Sequence, residues 1–131
     1  MATTPAFAVT PRIGTGSVST ANTNRDGTGT IVSIITGAAS GTRINEVVIQ
    51  ATGDPADSIV TVYLNDGVSS TLFDEIDIGD PAAASTTVAG YRTRRIYDNL
   101  VLPSASWSLR AAITVSPSAG VVNVIALGAD L

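Results

Sequence analysis

The chain has 131 residues, which is enough for one domain with its own core and too few for two ordinary domains. Hydrophobic residues make up 44% and charged residues 14%, a balance that excludes general disorder. The net charge of −4 argues against nucleic-acid binding as the main function, because a surface that binds phosphates needs a basic patch.

Several classes of chemistry are missing from the composition. The sequence has no Cys, no His and no Lys, so it has no disulfide framework, no imidazole base and no Schiff-base lysine. No apolar stretch approaches the roughly 18 residues that span a bilayer, and no basic region followed by an apolar run indicates a secretion signal. We therefore expect no enzyme activity, no cofactor, no metal, no membrane partner and no small-molecule substrate.

The first 15 residues are predicted to form an extended N-terminal arm. Pro5 and Pro11 bracket a short alternating segment, which limits it to an edge strand or a tail. Phe7 and Val9 lie in this segment and favour burial, either on the chain's own domain or on a neighbouring subunit.

Residues 16–131 are predicted to form one antiparallel β-sandwich with a jelly-roll-like arrangement of seven or eight strands. Apolar and polar residues alternate with period 2, and turn formers separate the segments. The predicted strands cover residues 30–36, 42–52, 58–64, 70–78, 90–97, 107–115 and 121–127.

The last two predicted strands are interpreted as a hairpin that anchors the sheet. Trp107 begins an alternating apolar face that continues through Leu109 to Val115, so it is predicted to lie in the core. The strand at 121–127 is apolar at nearly every position, which predicts a central strand buried on both faces.

The densest acidic run contains Asp74, Glu75, Asp77 and Asp80. Clustered carboxylates suit Ca²⁺, but the spacing lacks the pattern of a calcium-binding loop. A pair of catalytic carboxylates would need a deep cleft, which a domain of this size with few aromatic residues does not favour. The run is therefore interpreted as a solvated acidic strand and turn.

A basic run of three arginines is the more informative feature. In strand geometry Arg92 and Arg94 share one face with Ile96, whereas Arg95 and Tyr97 lie on the other face. Cations on both faces indicate an edge position. Two partners for these cations remain open: the acidic run of the same chain, or carboxylates of a neighbouring subunit.

Part of the chain resembles small structural proteins encoded in the head modules of tailed bacteriophages. The resemblance rests on residues 96–103 (IYDNLVLP), 107–111 (WSLRA) and 120–126 (GVVNVIA). Those proteins are often all-β sandwiches that decorate or cement capsids. The resemblance implies a virion structural protein on the capsid surface, made in the host cytoplasm.

The favoured hypothesis is a non-enzymatic capsid decoration or cement protein that binds across capsomers of the major capsid protein as a homo-oligomer, with a trimer favoured. The alternatives are a head–tail connector or tail component, and a carbohydrate- or receptor-binding β-sandwich. The residues predicted to form the interface are Phe7, Val9, Asp74, Glu75, Asp77, Arg92, Arg94 and Arg95.

Overall fold

Eight β-strands form two four-stranded sheets in the computed structural model, which describes residues 10–131. No helix occurs in this part of the chain. The strands are β1 (Thr10–Val18), β2 (Val32–Thr36), β3 (Thr42–Ala51), β4 (Ser58–Asn65), β5 (Ser70–Gly79), β6 (Arg92–Leu102), β7 (Ser108–Ile113) and β8 (Val122–Asp130).

The strand order defines a jelly roll. The first sheet has the order β1-β8-β3-β6 and the second sheet the order β2-β7-β4-β5, and every named pair is antiparallel. Six of the seven connections cross from one sheet to the other, and only β4 and β5 are joined within a sheet. The predicted antiparallel sandwich is thereby confirmed, and the strand count is eight.

The predicted terminal hairpin is wrong. β7 pairs with β2 and β4 in the second sheet, whereas β8 pairs with β1 and β3 in the first. Both strands are apolar enough to lie between two partners, and crossing between the sheets gives each of them a central position. The predicted central position of β8 is therefore correct, although its partners are not those expected.

The core lies between the two sheets and is built from alternate residues of each strand. On β7 the inward set includes Leu109, Ala111 and Ile113, all fully buried, as the alternation predicts. Trp107 precedes β7 and is only partly buried, with its ring packed against the core rather than inside it. The prediction of a core tryptophan thus needs correction, because the chain is still in the β6–β7 connection at that residue.

Residues 10–15, expected to belong to an arm, form the first part of β1, an edge strand of the first sheet. Gly14 lies so close to the second sheet that a Cβ on it would overlap the carbonyl oxygen of Ile34 and the Cβ of Ile35. The absent side chains at Gly14 and Gly16 let β1 close this flank of the sandwich. The expected arm residues Phe7 and Val9 lie outside the described residues.

β6 continues beyond its predicted end at Tyr97. The register with β3 shifts between the pairs Glu46–Ile96 and Ile44–Leu100, so β6 carries a bulge in which Asn99 has φ 62°. After the bulge the strand resumes its pairing to Leu102. The bulge thus interrupts the long outer edge of β6, and bulges are one way in which proteins discourage the pairing of an edge strand with foreign strands.

Candidate interaction surface

The acidic and basic runs meet on one flank of the sandwich. β5 is the edge strand of the second sheet and carries the acidic residues, and β6 is the edge strand of the first sheet and carries the arginines. The two runs are therefore not neighbours within a sheet. Their contacts cross the gap between the sheets.

Arg95 makes the central contact of this flank. Its Nε lies 3.1 Å from Oδ2 of Asp74, and its Nη2 donates a 3.1 Å hydrogen bond to the backbone carbonyl of Glu75 on β5. One guanidinium thus binds a carboxylate and a strand carbonyl at the same time, which the single ammonium of a lysine is less suited to do. Both side chains of the ion pair are partly exposed, so the pair contributes at most about 1 kcal/mol.

Tyr97 completes the flank from the same face of β6. Its hydroxyl donates a 2.9 Å hydrogen bond to Asp74, and its ring lies 5.3 Å from that of Phe73. Burial, reinforced by the hydrogen bond to Asp74, raises the pKa of Tyr97 well above its usual range. The phenol therefore remains a neutral donor to Asp74 under all ordinary conditions.

The opposite flank carries a matching arginine that sequence reasoning missed. Nη1 of Arg12 on β1 lies 2.9 Å from Oδ1 of Asp130, and its Nη2 donates a 2.9 Å hydrogen bond to the carbonyl of Thr36 on β2. The hydroxyl of Thr42 also donates to Asp130 at 2.7 Å, and this bond together with Arg12 lowers the pKa of Asp130. No spacing in the sequence signals this contact, because its partners come from four different strands.

The other predicted interface residues occupy separate positions. Arg94 lies on the outer face of the first sheet, where its Nη1 is 3.4 Å from Oε2 of Glu46. Arg92 is exposed and makes no ion pair with any described residue. Asp77 accepts a hydrogen bond from the backbone N–H of Gly79, a contact that shapes the end of β5.

The outer face of the second sheet is covered by the chain's own β1–β2 connection, residues 19–31. The hydroxyl of Tyr63 on β4 donates a 2.8 Å hydrogen bond to the carbonyl of Asn24, and Arg25 forms an ion pair with Glu75 on β5. Tyr63 is fully buried as a result. This loop uses the carboxylate of Glu75, so Glu75 and Asp74 serve different partners.

The outer face of the first sheet keeps a large apolar side chain exposed at each of its two edges. Ile13 is 69% exposed on β1 and Ile96 is 61% exposed on β6, at opposite edges of the sheet. The register places between them Leu127 and Ile125, which are partly buried, and Val48, which is only 2% exposed. We call these five residues the apolar band. Polar side chains border it, and sequence reasoning missed it because β8 was expected to be buried on both faces.

Side chains that could ligate a metal ion do not cluster in the part of the chain that the structure describes. No group of three or more His, Cys, Asp or Glu side chains within residues 10–131 lies close enough to hold a metal ion. The carboxylates of the acidic run point to separate partners, as described above. The same part of the chain has no helix that is both long and apolar enough to cross a membrane.

Comparisons with solved structures identify similar folds in virus capsids. A chain in the acidic stable capsid structure of Helicobacter pylori bacteriophage KHP30 matches with a TM-score of 0.59 and 11% identity, covering 95% of this chain and 90% of that one. A chain in the cyanophage Pam1 capsid asymmetric unit matches with a TM-score of 0.45 and 14% identity, covering 100% and 92%.

A pentameric capsid protein isolated from metagenomic phage sequences matches with a TM-score of 0.43 and 14% identity, covering 95% of this chain and 63% of that one. No protein-family model and no curated protein matches the sequence. The likeness to the KHP30 capsid chain shows a shared jelly-roll fold over nearly the whole of both chains.

Proposed function

We propose that this protein is a non-enzymatic structural component of a bacteriophage virion, a decoration or cement protein that binds across capsomers of the major capsid protein as a homo-oligomer. The observation that carries the proposal is the fold shared with a chain of similar length in a phage capsid. Because the alignment covers almost all of both chains, the similarity joins one small domain to another and is not limited to a fragment of a larger protein.

The construction of the domain supports a structural role. Each flank is closed by an arginine of the first sheet, Arg12 on one side and Arg95 on the other. Each arginine binds a carboxylate and also donates a hydrogen bond to a carbonyl on an edge strand of the second sheet. These contacts occupy hydrogen-bonding groups that would otherwise be open at the sheet edges. The outer face of the first sheet keeps Ile13 and Ile96 exposed, and exposed apolar side chains suit a contact with another protein.

Binding would stabilise the shell by mass action. A protein that binds only the assembled state stabilises that state by about 2.7 kcal/mol at a free concentration one hundred times its dissociation constant. A homo-oligomer places several such contacts on adjacent capsomers at once, which raises the effective concentration of each remaining contact. The N-terminal segment with Phe7 and Val9, together with Arg92 and Arg94, is proposed to contribute to the contacts that the oligomer makes with the shell or between its own copies.

The glycan-binding alternative finds less support in the surface. Carbohydrate sites present exposed aromatic rings, and among the described residues Phe73 is the one aromatic residue among the large exposed hydrophobic side chains. Phe73 packs against Tyr97, so its ring is already partly engaged. A head–tail connector or tail component remains the structural alternative, and copy number in the virion separates it from a decoration protein.

The test is binding to capsids. The chain is mixed with particles assembled from the major capsid protein of the same phage genome, and the mixture is sedimented through a sucrose gradient. We expect the chain to sediment with the particles and to raise the temperature at which they dissociate.

A variant lacking residues 1–9 leaves all eight strands intact and should bind more weakly. Arg92→Glu should also bind more weakly, with an effect that decreases as salt increases. A wild-type chain that stays at the top of the gradient would contradict the proposed function. Unchanged binding of both variants would remove the N-terminal segment and Arg92 from the contact.

A further inference from the structure

The apolar band has a sequence that is suited to burial, and its two edge residues, Ile13 and Ile96, are exposed in the part of the chain that the structure describes. β8 is apolar at nearly every position, yet Ile125 and Leu127 on its outer side are only partly buried. On the second sheet the corresponding outer face is covered by residues 19–31. Within residues 10–131 the two faces of the sandwich thus differ: Ile13 and Ile96 stay exposed on the first sheet, whereas Tyr63 is fully buried on the second.

The band also carries an unusual charge balance. The exposed or outward residues of β3 and β6 include three arginines, at positions 43, 92 and 94, and two carboxylates, Glu46 and Asp98. Glu46 is already paired with Arg94. This face therefore has a positive excess in a chain whose net charge is −4, so the remaining surface is correspondingly more acidic.

The matching acidic surface lies at one end of the second sheet. Ser58 and Gly79 are directly paired in β4 and β5, so Asp57 and Asp80 flank the same register position. Both aspartates are exposed, as is Asp77 nearby on β5, and none of the three forms an ion pair within the described residues. We call Asp57, Asp77 and Asp80 the acidic corner.

We propose that the apolar band is the docking surface for a second copy of this chain, which presents its acidic corner to Arg92 and Arg43 at the border of the band. Two identical faces packed together would place arginines against arginines, and like charges across an interface are costly. A contact between two different surfaces of the same chain avoids this cost. Such heterologous contacts repeat from copy to copy and close into a ring when the rotation allows.

This inference specifies the self-contact of the proposed homo-oligomer, and it is tested without a capsid. Sedimentation velocity of the full chain over a concentration series should show association that weakens as NaCl rises from 50 to 500 mM. The higher salt concentration screens the attraction between the arginines and the acidic corner. Ile96→Glu and Arg92→Glu should each weaken association by about tenfold or more. Both sites are exposed, and far-UV circular dichroism checks that the variants remain folded.

Val68→Glu is the matched control. Val68 is 93% exposed in the β4–β5 turn, away from the band, so the same loss of an apolar side chain and the same added charge should leave association unchanged. Association of Ile96→Glu and Arg92→Glu equal to that of this control would overturn the proposal. A wild-type chain that is monomeric at every concentration would also overturn it.

A charge exchange tests the pairing of the two surfaces. Arg92→Asp and Asp57→Arg should each weaken association. The double variant should recover, on a logarithmic scale, at least half of the affinity lost in the single variants, because the exchanged charges again face each other between copies. Losses that simply add in the double variant would overturn the pairing.

The self-contact and the virion role fail separately. A monomeric wild-type chain that still sediments with capsids contradicts this contact and leaves the proposed function intact. An oligomer that depends on Ile96 and Arg92 but does not bind capsids contradicts the virion role and leaves the contact intact.

Discussion

Gly14 provides a direct test of how β1 closes the sandwich. The backbone of β1 approaches β2 so closely at this position that a Cβ would overlap backbone and Cβ atoms of Ile34 and Ile35, and its distance to the Cα of Ile35 would be 3.0 Å. Carbon atoms normally meet at about 3.5–4.0 Å. Gly14→Ala would therefore force β1 or β2 to move by roughly 1 Å at a point where both are fixed by their sheets.

The expected cost follows from two opposing terms. Overpacking a well-packed site costs about 1–3 kcal/mol. Replacing Gly by Ala stabilises by about 0.4–1 kcal/mol, because it reduces the conformational entropy of the unfolded chain. The φ of Gly14 is not in the left-handed region, so no further strain arises. Gly14→Ala should lower the free energy of unfolding by about 1–2 kcal/mol.

Gly16 is the matched control two residues further along the same strand. A Cβ there would meet the side-chain atoms Cδ1 of Ile34 at 2.7 Å and Cγ1 of Val32 at 3.1 Å, which can yield by small rotations, and the carbonyl oxygen of Ser33 at 3.2 Å. The remaining clash is then about the size of the entropic gain, so we expect Gly16→Ala to change the free energy of unfolding by less than about 0.5 kcal/mol.

Urea unfolding measures both variants against wild type. Trp107 is the only tryptophan and packs against the core, so its fluorescence reports the global transition. With a slope of about 1–3 kcal/mol per molar urea, Gly14→Ala should lower the midpoint by roughly 0.5–1 M. A midpoint equal to that of wild type, or equal losses for Gly14→Ala and Gly16→Ala, would refute the close packing of β1 on the second sheet.

Three further changes test other parts of the structure. Leu109→Ala removes a fully buried side chain and should cost about 2–5 kcal/mol in urea unfolding. Because Trp107 is partly buried, its change to Ala should cost less than the roughly 3–5 kcal/mol of a core tryptophan, and a loss within that range measured by circular dichroism would contradict its placement. Tyr97→Phe should cost about 0.5–1.5 kcal/mol in the same assay, because the carboxylate of Asp74 loses its hydroxyl donor, and no loss would contradict that hydrogen bond. Because folding lowers the pKa of Asp130, its stabilising contacts are complete above its ordinary pKa of 3.8 and are lost as the pH falls through the lower pKa of the folded state. Thermal melts should therefore show that Asp130→Asn is less stable than wild type at pH 7 and that the difference in stability narrows below about pH 4. A difference in stability that does not depend on pH would contradict this linkage.

Period-2 alternation predicted seven of the eight strands and most of their faces. On β6 it separated Arg92, Arg94 and Ile96 from Arg95 and Tyr97, and the structure places the first set on the outer face of the sheet and directs the second toward the other sheet. Alternation reports which side of a strand each residue occupies, a local property that depends only on backbone geometry.

The partners of each strand depend on contacts that are distant in sequence. A hairpin of β7 with β8 satisfies the local pattern as well as the observed crossing between sheets does, and the pattern alone does not distinguish them. β1 was missed because Gly14 and Gly16 have low strand propensity, yet the absence of their side chains is what lets β1 approach β2.

The candidate surface was predicted only in part for the same reason. The acidic and basic runs are visible as local clusters, and Asp74 does meet Arg95. The apolar band is assembled from four strands, so its exposed members Ile13 and Ile96 look in the sequence like ordinary strand residues. Whether a strand is covered on its second face is a property of the assembled sheet and its neighbours.

The proposed role in the virion is tested most directly by counting copies of this chain in purified particles. Quantitative mass spectrometry of intact virions gives the ratio of this chain to the major capsid protein. A decoration protein bound across capsomers predicts a fixed copy number per virion that is comparable to the number of capsomers. A ratio corresponding to a single ring at one vertex or along the tail would place the protein at the connector or tail, and its absence from virions would contradict the proposed function.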